Sequence, residues 1–143
     1  MDEWFANPNL ITDDTFRVKS PIPESIYIAG PMSGYSEFNY PAFRDCKAYL
    51  ESLGIRRVES PAQPELGSEP PQRTSTYMRR ALIRLLQCEA IILLPGWVSS
   101  PGAKLELRVS YKLEMDTYIY KSDSSIEHCG QGWFNDQEKA GVL

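Results

Sequence analysis

The segment Ser100-Pro101-Gly102-Ala103-Lys104-Leu105-Glu106 joins a helix start to a carboxylate six positions later. A serine N-cap followed by proline is a strong helix start, and its free N–H groups favour a phosphate or a sugar hydroxyl. Gly102 leaves room for close approach. Glu106 lies about 9 Å further along the helix axis, within reach of the same small ligand. The alternative is a solvated or first-turn glutamate, which the helix dipole also favours.

A second candidate is the turn Gly30-Pro31-Met32-Ser33-Gly34, which follows an apolar run. Two glycines around a small hydroxyl residue let backbone N–H groups approach an anion or a sugar. The alternative is a purely structural turn, because strands often end in Gly-Pro. Aromatic residues near both candidate segments either stack on a base or form core or oligomer contacts: Tyr35, Phe38, Tyr40 and Trp97.

The elements that would position these segments alternate between strands and helices. Apolar runs predict strands at residues 26–29, 55–58, 90–94 and 117–120. Helices are predicted from an Asn39 N-cap to Gly54, from about 75 to 87, and from 100 to about 113. This alternation predicts an α/β fold with a four- or five-stranded parallel sheet between helices on both faces. Ligands bind beyond the carboxyl ends of such strands, where both candidate segments lie.

Composition limits the classes of partner and site. The 143 residues fit one domain of common size. The formal net charge of −4 argues against a nucleic-acid polymer as partner, because no basic stripe is available to displace phosphate counterions. The three cysteines form no CxxC pattern, which supports neither a zinc site nor a disulfide framework. We expect neither a metal nor a cofactor.

The chain divides into an N-terminal extension over residues 1–24, a domain over residues 25–121 and a C-terminal tail over residues 122–143. The extension is polar and contains proline, and the tail is rich in Ser, Gly and Asp. The N-terminus lacks a basic segment followed by an apolar one, and no apolar run approaches the roughly 20 residues of a membrane span. We expect a cytoplasmic protein with no membrane partner.

The two candidate segments together resemble an uncharacterised, often phage-encoded branch of the nucleoside 2-deoxyribosyltransferase superfamily. The resemblance extends over roughly residues 26–120. It rests on Ile26-Tyr27-Ile28-Ala29-Gly30-Pro31-Met32-Ser33-Gly34, on Phe38-Asn39-Tyr40-Pro41-Ala42-Phe43, and on Leu94-Pro95-Gly96-Trp97 with the 100–106 segment. It implies a flavodoxin-like or Rossmann-like three-layer sandwich. It also implies cleavage of an N-glycosidic bond, or deoxyribosyl transfer, on a (deoxy)nucleoside or its 5′-monophosphate.

The resemblance assigns Glu106 the role of a nucleophile that forms a glycosyl-enzyme. Ser100 matches a phosphate-binding serine of the monophosphate N-glycosidases. A homodimer or higher homo-oligomer is implied, in the host cytoplasm if the chain is phage-encoded. The candidate substrate contacts are Gly30, Pro31, Met32, Ser33, Gly34, Phe38, Asn39, Trp97, Ser100 and Gly102.

The sequence departs from the superfamily pattern at two positions. Ala81 stands where the superfamily usually has an aspartate that positions the sugar and the departing base. Loss of such an acid or base typically costs about 10²–10⁴-fold in rate. Ser33 stands where nucleotide hydrolases can place an arginine. The alternative function is therefore a nucleotide-binding protein that sequesters a nucleotide or nucleotide-derived signal with weak or no catalysis.

Overall fold

A computed structural model of the chain describes residues 22–62, 74–130 and 132–143. Nearly all of the predicted N-terminal extension, residues 1–21, lies outside the described residues. The same holds for residues 63–73, which form most of the proline-containing segment between the second strand and the second helix.

The described chain alternates between strands and helices as predicted. The strands are β1 (Ser25–Ala29), β2 (Arg57–Glu59), β3 (Ala90–Leu93), β4 (Asp116–Tyr120) and β5 (Ile126–Cys129). The helices are α1 (Tyr40–Ser52), α2 (Thr74–Leu85), α3 (Pro101–Lys112) and α4 (Trp133–Lys139). Short 3₁₀ segments at Ser36–Asn39 and Trp97–Ser99 precede α1 and α3.

The five strands form one sheet in the order β2-β1-β3-β4-β5. Strands β1 to β4 are parallel, and β5 pairs antiparallel with β4. In the centre of the sheet, Ile26 of β1 lies opposite Ala90 of β3, and Ala29 lies opposite Leu93. The predicted α/β fold is confirmed, and its strand order is that of flavodoxin-like sheets.

Burial on both faces explains why β1 and β3 are continuous apolar runs. Ile26 and Ile28 of β1 point into a core covered by α1, whereas Tyr27 and Ala29 point into a core covered by α2, α3 and α4. Side chains alternate between the faces of a strand, so each central strand supplies both cores. The result is the expected three-layer arrangement of helix, sheet and helices.

The segment predicted as a C-terminal tail is part of the fold. Residues 122–143 contain β5 and α4, which the sequence analysis did not identify. Ile126 of β5 is buried opposite Tyr120, and Phe134 of α4 stacks on Tyr111 with ring centroids 3.9 Å apart. The polar composition of this segment favoured a tail. A four-residue edge strand and a seven-residue helix are too short to give a detectable periodicity, so their two buried residues, Ile126 and Phe134, were not predicted.

Candidate functional site

The candidate site lies where the strand order of the sheet reverses, between β1 and β3. The chain leaves β1 for α1 on one face and leaves β3 for α3 on the other face. In open parallel sheets, a crevice forms at such a point beyond the carboxyl ends of the two strands. The segments that follow Ala29 and Leu93 are the two predicted candidate segments.

Two glycines allow these segments to pack against each other. A Cβ on Gly30 would lie 2.8 Å from the Leu94 Cβ, so only glycine fits at the end of β1 without a shift. Gly96 has a φ of +88°, and a Cβ there would lie 2.6 Å from the Tyr35 hydroxyl and 3.2 Å from Pro31 Cγ. The predicted proximity of the two segments is therefore present in the structure, with a structural role for Gly30.

Asn39 does not cap α1 with its side chain, contrary to the prediction. Its φ is 63°, and its Nδ2 donates a hydrogen bond to the Pro31 carbonyl at 2.9 Å. Glu37 and Phe38 also have left-handed backbones, with φ of 53° at each. A left-handed conformation costs roughly 1–2 kcal/mol per residue. The bond from Asn39 joins this turn to the end of β1 and helps to hold it.

The start of α3 has the predicted structure. The Ser100 side chain accepts a hydrogen bond from the Ala103 N–H at 3.1 Å, and Pro101 occupies the first turn. A hydroxyl that accepts one bond still has a proton to donate, so Ser100 keeps a donor for a ligand. Gly102 was predicted to leave room for a ligand. The Met78 methyl of α2 lies on that side instead, 3.1 Å from where a Cβ on Gly102 would be.

Glu106 is a buried carboxylate on the sheet-facing side of α3. It shares this side with Ala103, Leu107 and Ser110, and only 3% of its surface is exposed. Its Oε2 accepts a hydrogen bond from the Tyr27 hydroxyl of β1. Burial raises the pKa of Glu106 from its ordinary 4.5 to about 7, and the bond from Tyr27 opposes that rise. The alternative of a solvated glutamate is therefore wrong.

Tyr27 is the hydrogen-bond partner of Glu106, and it was not among the predicted site residues. Its side chain is fully buried. Burial, the charge of Glu106 and the hydrogen bond between them raise the pKa of Tyr27 well above its ordinary 10.0. The phenol therefore keeps its proton and stays a donor to Glu106. A tyrosine inside a buried aliphatic run was the available signal, because a buried phenol usually has a polar partner.

The other predicted contacts fall into two groups. Trp97 is 7% exposed and packs with its ring centroid 5.7 Å from that of Trp133, so this ring is a core contact. Met32 also packs against a core, the one covered by α1. Ser33, Gly34 and Phe38 are exposed. Thus the structure leaves the small turn residues and Phe38 open to solvent, while Trp97 supports the segment between β3 and α3.

The remaining observations concern metal sites, cysteines and membrane spans. Within residues 22–62, 74–130 and 132–143, no group of three or more His, Cys, Asp or Glu side chains is arranged to hold a metal ion. The cysteines are free, and burial raises the pKa of Cys88 to about 11 and that of Cys129 to about 12. None of the described helices combines the length and apolar character needed to cross a membrane.

A known family model matches most of this chain. Residues 24–119 match the family model described as domain of unknown function, DUF4406. The chain belongs to the DUF4406 family. The match includes β1 to β3, α1 to α3, Tyr27 and Glu106, and it ends within β4. The elements β5 and α4 therefore lie beyond the matched DUF4406 domain. A search of curated proteins finds no match to the chain.

Proposed function

We propose that this DUF4406 protein cleaves or exchanges the N-glycosidic bond of a (deoxy)nucleoside or its 5′-monophosphate, with Glu106 as the nucleophile. The observation that carries the proposal is the buried, hydrogen-bonded pair of Glu106 on α3 and Tyr27 on β1. These are elements next to the point where open parallel sheets usually bind ligands. Burying a carboxylate is costly unless it is compensated. A position that retains one next to a crevice is a candidate for catalysis.

The pair suits a double displacement. The Tyr27 hydroxyl donates a hydrogen bond to Oε2 of Glu106, so we assign Oε1 as the oxygen that attacks C1′ of the sugar. The bond from C1′ to the base breaks through an oxocarbenium-like transition state, and a glycosyl-enzyme forms. Water or an acceptor base then attacks C1′ and releases Glu106.

The start of α3 supports binding of the rest of the ligand. The Ser100 hydroxyl and the first-turn amides of α3 suit a 5′-phosphate or a sugar hydroxyl. About 9 Å along the helix axis separates Ser100 from Glu106. This separation suits a ligand with a phosphate at one end and an anomeric carbon at the other. The resemblance to the nucleoside 2-deoxyribosyltransferase superfamily favours the same assignment of Glu106.

The test is base release from a panel of nucleosides and 5′-monophosphates, each with ribose or deoxyribose, followed by chromatography. We expect release from at least one substrate, and we expect Glu106→Gln to abolish it. Exposed Glu51→Gln on α1 is the matched control and should retain full activity. Release that persists unchanged in Glu106→Gln would refute the nucleophile assignment.

A second candidate is a protein that binds a nucleotide without turning it over, and Ala81 favours it. Ala81 is 3% exposed and lies in the same core as Tyr27. Alanine supplies no ionisable group at the position where the superfamily usually has an aspartate. Calorimetry distinguishes the two candidates. Saturable binding of a monophosphate without base release supports sequestration, whereas turnover supports the enzyme.

A further inference from the structure

The Glu106–Tyr27 pair has no proton to give to a departing base. As a nucleophile, Glu106 must be ionised when it attacks. Tyr27 is fully buried and donates its hydrogen bond to Glu106, and its pKa is raised well above the ordinary value. Both polar groups of the pair are therefore committed before the glycosidic bond breaks.

The pair packs against apolar side chains on its face of the sheet. Tyr27 lies in the core cluster that contains Ala81, Ala103 and Leu107. Burial raises the pKa of Glu106, and the hydrogen bond from the Tyr27 hydroxyl lowers it. Within the described ranges, no Lys or Arg forms an ion pair with Glu106. The described part of the protein therefore supplies no ion-pair partner to the ionised carboxylate. The charge of Arg84 acts on the Tyr27 hydroxyl, where it lowers the pKa of the phenol.

Departure of a neutral base leaves negative charge on its nitrogen, which an acid normally neutralises. Such proton transfer is worth about 10²–10⁴-fold in rate. A base that already carries a positive charge departs as a neutral molecule and needs no proton. The same positive charge compensates a buried carboxylate, since burial strengthens the attraction between opposite charges.

Resting on the proposed function, we propose that the preferred substrates are nucleosides or nucleotides with a cationic base, such as a pyridinium or an N7-alkylated purine. Glu106 Oε1 forms a bond to C1′, and the electron pair of the glycosidic bond moves to the ring nitrogen. The negative carboxylate and the positive substrate become a neutral ester and a neutral base. Water then attacks C1′, which regenerates the carboxylate and releases the sugar and one proton.

The test compares matched substrates on the full-length protein. 7-Methylguanosine and guanosine differ in the charge of the base, and nicotinamide riboside adds a second cationic base. Each is supplied with and without a 5′-phosphate. Base release is measured for the natural chain and for Glu106→Gln, and each rate is divided by the spontaneous rate of the same substrate. We expect the normalised kcat/KM of the cationic substrates to exceed that of guanosine by about 10²-fold or more.

The pH profile is a second measurement on the same samples. With nicotinamide riboside, whose pyridinium keeps its charge at every pH, kcat/KM should rise as Glu106 ionises and then stay level, because no acid has to keep its proton. A bell-shaped profile would overturn the inference.

The outcomes separate the inference from the function on which it rests. Guanosine cleaved with the same normalised rate as 7-methylguanosine overturns the inference and leaves the proposed function intact. Absence of Glu106-dependent release from every substrate overturns both. Preferential, Glu106-dependent release from the cationic substrates supports both.

Discussion

The two faces of the sheet bury different chemistry. Against α1, the core contains aliphatic and aromatic side chains such as Ile28, Phe43 and Leu50. Against α2 and α3, the core contains Tyr27 and the carboxylate of Glu106 next to similar apolar residues. The first face stabilises the fold mainly by burying apolar surface. The second face gives up stability to keep an ionisable group out of water, and this cost is the reason that we propose a role in catalysis for Glu106.

The largest expected difference between the faces is in activity. Glu106→Gln keeps the size of the side chain and an acceptor for the Tyr27 hydroxyl but removes the nucleophile. We expect base release to fall by roughly 10³-fold or more, measured by single-turnover kinetics with saturating protein. A fall of less than tenfold would place the chemistry elsewhere in the molecule.

Leu50→Ala tests the face covered by α1. Leu50 is fully buried, and truncation of a buried leucine costs about 2–5 kcal/mol. We expect this loss in the free energy of unfolding by urea titration, with kcat of the folded fraction unchanged. Leu113→Ala is the control, because Leu113 is 51% exposed and its loss should have little effect. A kcat that falls with Leu50→Ala would show that the two faces are not independent.

The pH dependence of stability tests the cost of the buried carboxylate. The pKa of Glu106 is raised from 4.5 to about 7 in the folded chain. Between these pH values the folded chain holds a proton that the unfolded chain releases, so stability falls as pH rises. The full penalty, about 3 kcal/mol from this shift, is present above pH 7.

Glu106→Gln removes that penalty. We therefore expect the variant to be more stable than the natural chain at pH 8 and the difference to vanish below about pH 4.5, by urea titration across pH. Exposed Glu51→Gln, whose carboxylate stays in water in both states, should not reproduce this trend. Equal stability of the natural chain and Glu106→Gln at every pH would mean that Glu106 is not buried as an ion.

The smallest expected effect is that of Tyr27→Phe, which keeps the ring and removes the hydroxyl. Without this donor, the pKa of Glu106 should rise further, so the acid limb of kcat/KM should shift to higher pH. Loss of the hydrogen bond should also cost roughly 1–2 kcal/mol in the free energy of unfolding. Tyr111→Phe is the control, because it keeps the stack on Phe134 and should not move the acid limb. An unchanged acid limb in Tyr27→Phe would show that the hydroxyl does not act on Glu106.

Much of this arrangement was predictable from local signals. The apolar runs at β1 and β3 and the Ser100-Pro101 start of α3 identified the elements and the edge where the candidate segments lie. The bounds of the second strand were wrong: it was predicted at residues 55–58 and lies at Arg57–Glu59. Ile55 is buried just before the strand. The apolar character of Ile55 therefore indicated a contact with the core, and not the residues that form the hydrogen bonds of β2.

By itself, the sequence determined the α/β alternation, the edge of the sheet that carries the candidate site and the position of Glu106 on α3. These follow from periodicity and capping, which act over a few neighbouring residues. Only the tertiary structure decided that Glu106 is buried, that Tyr27 is its partner and that Trp97 belongs to the core. Tyr27 and Glu106 are 79 positions apart. Their contact depends on the strand order and on how α3 packs against β1, and no local pattern encodes that packing.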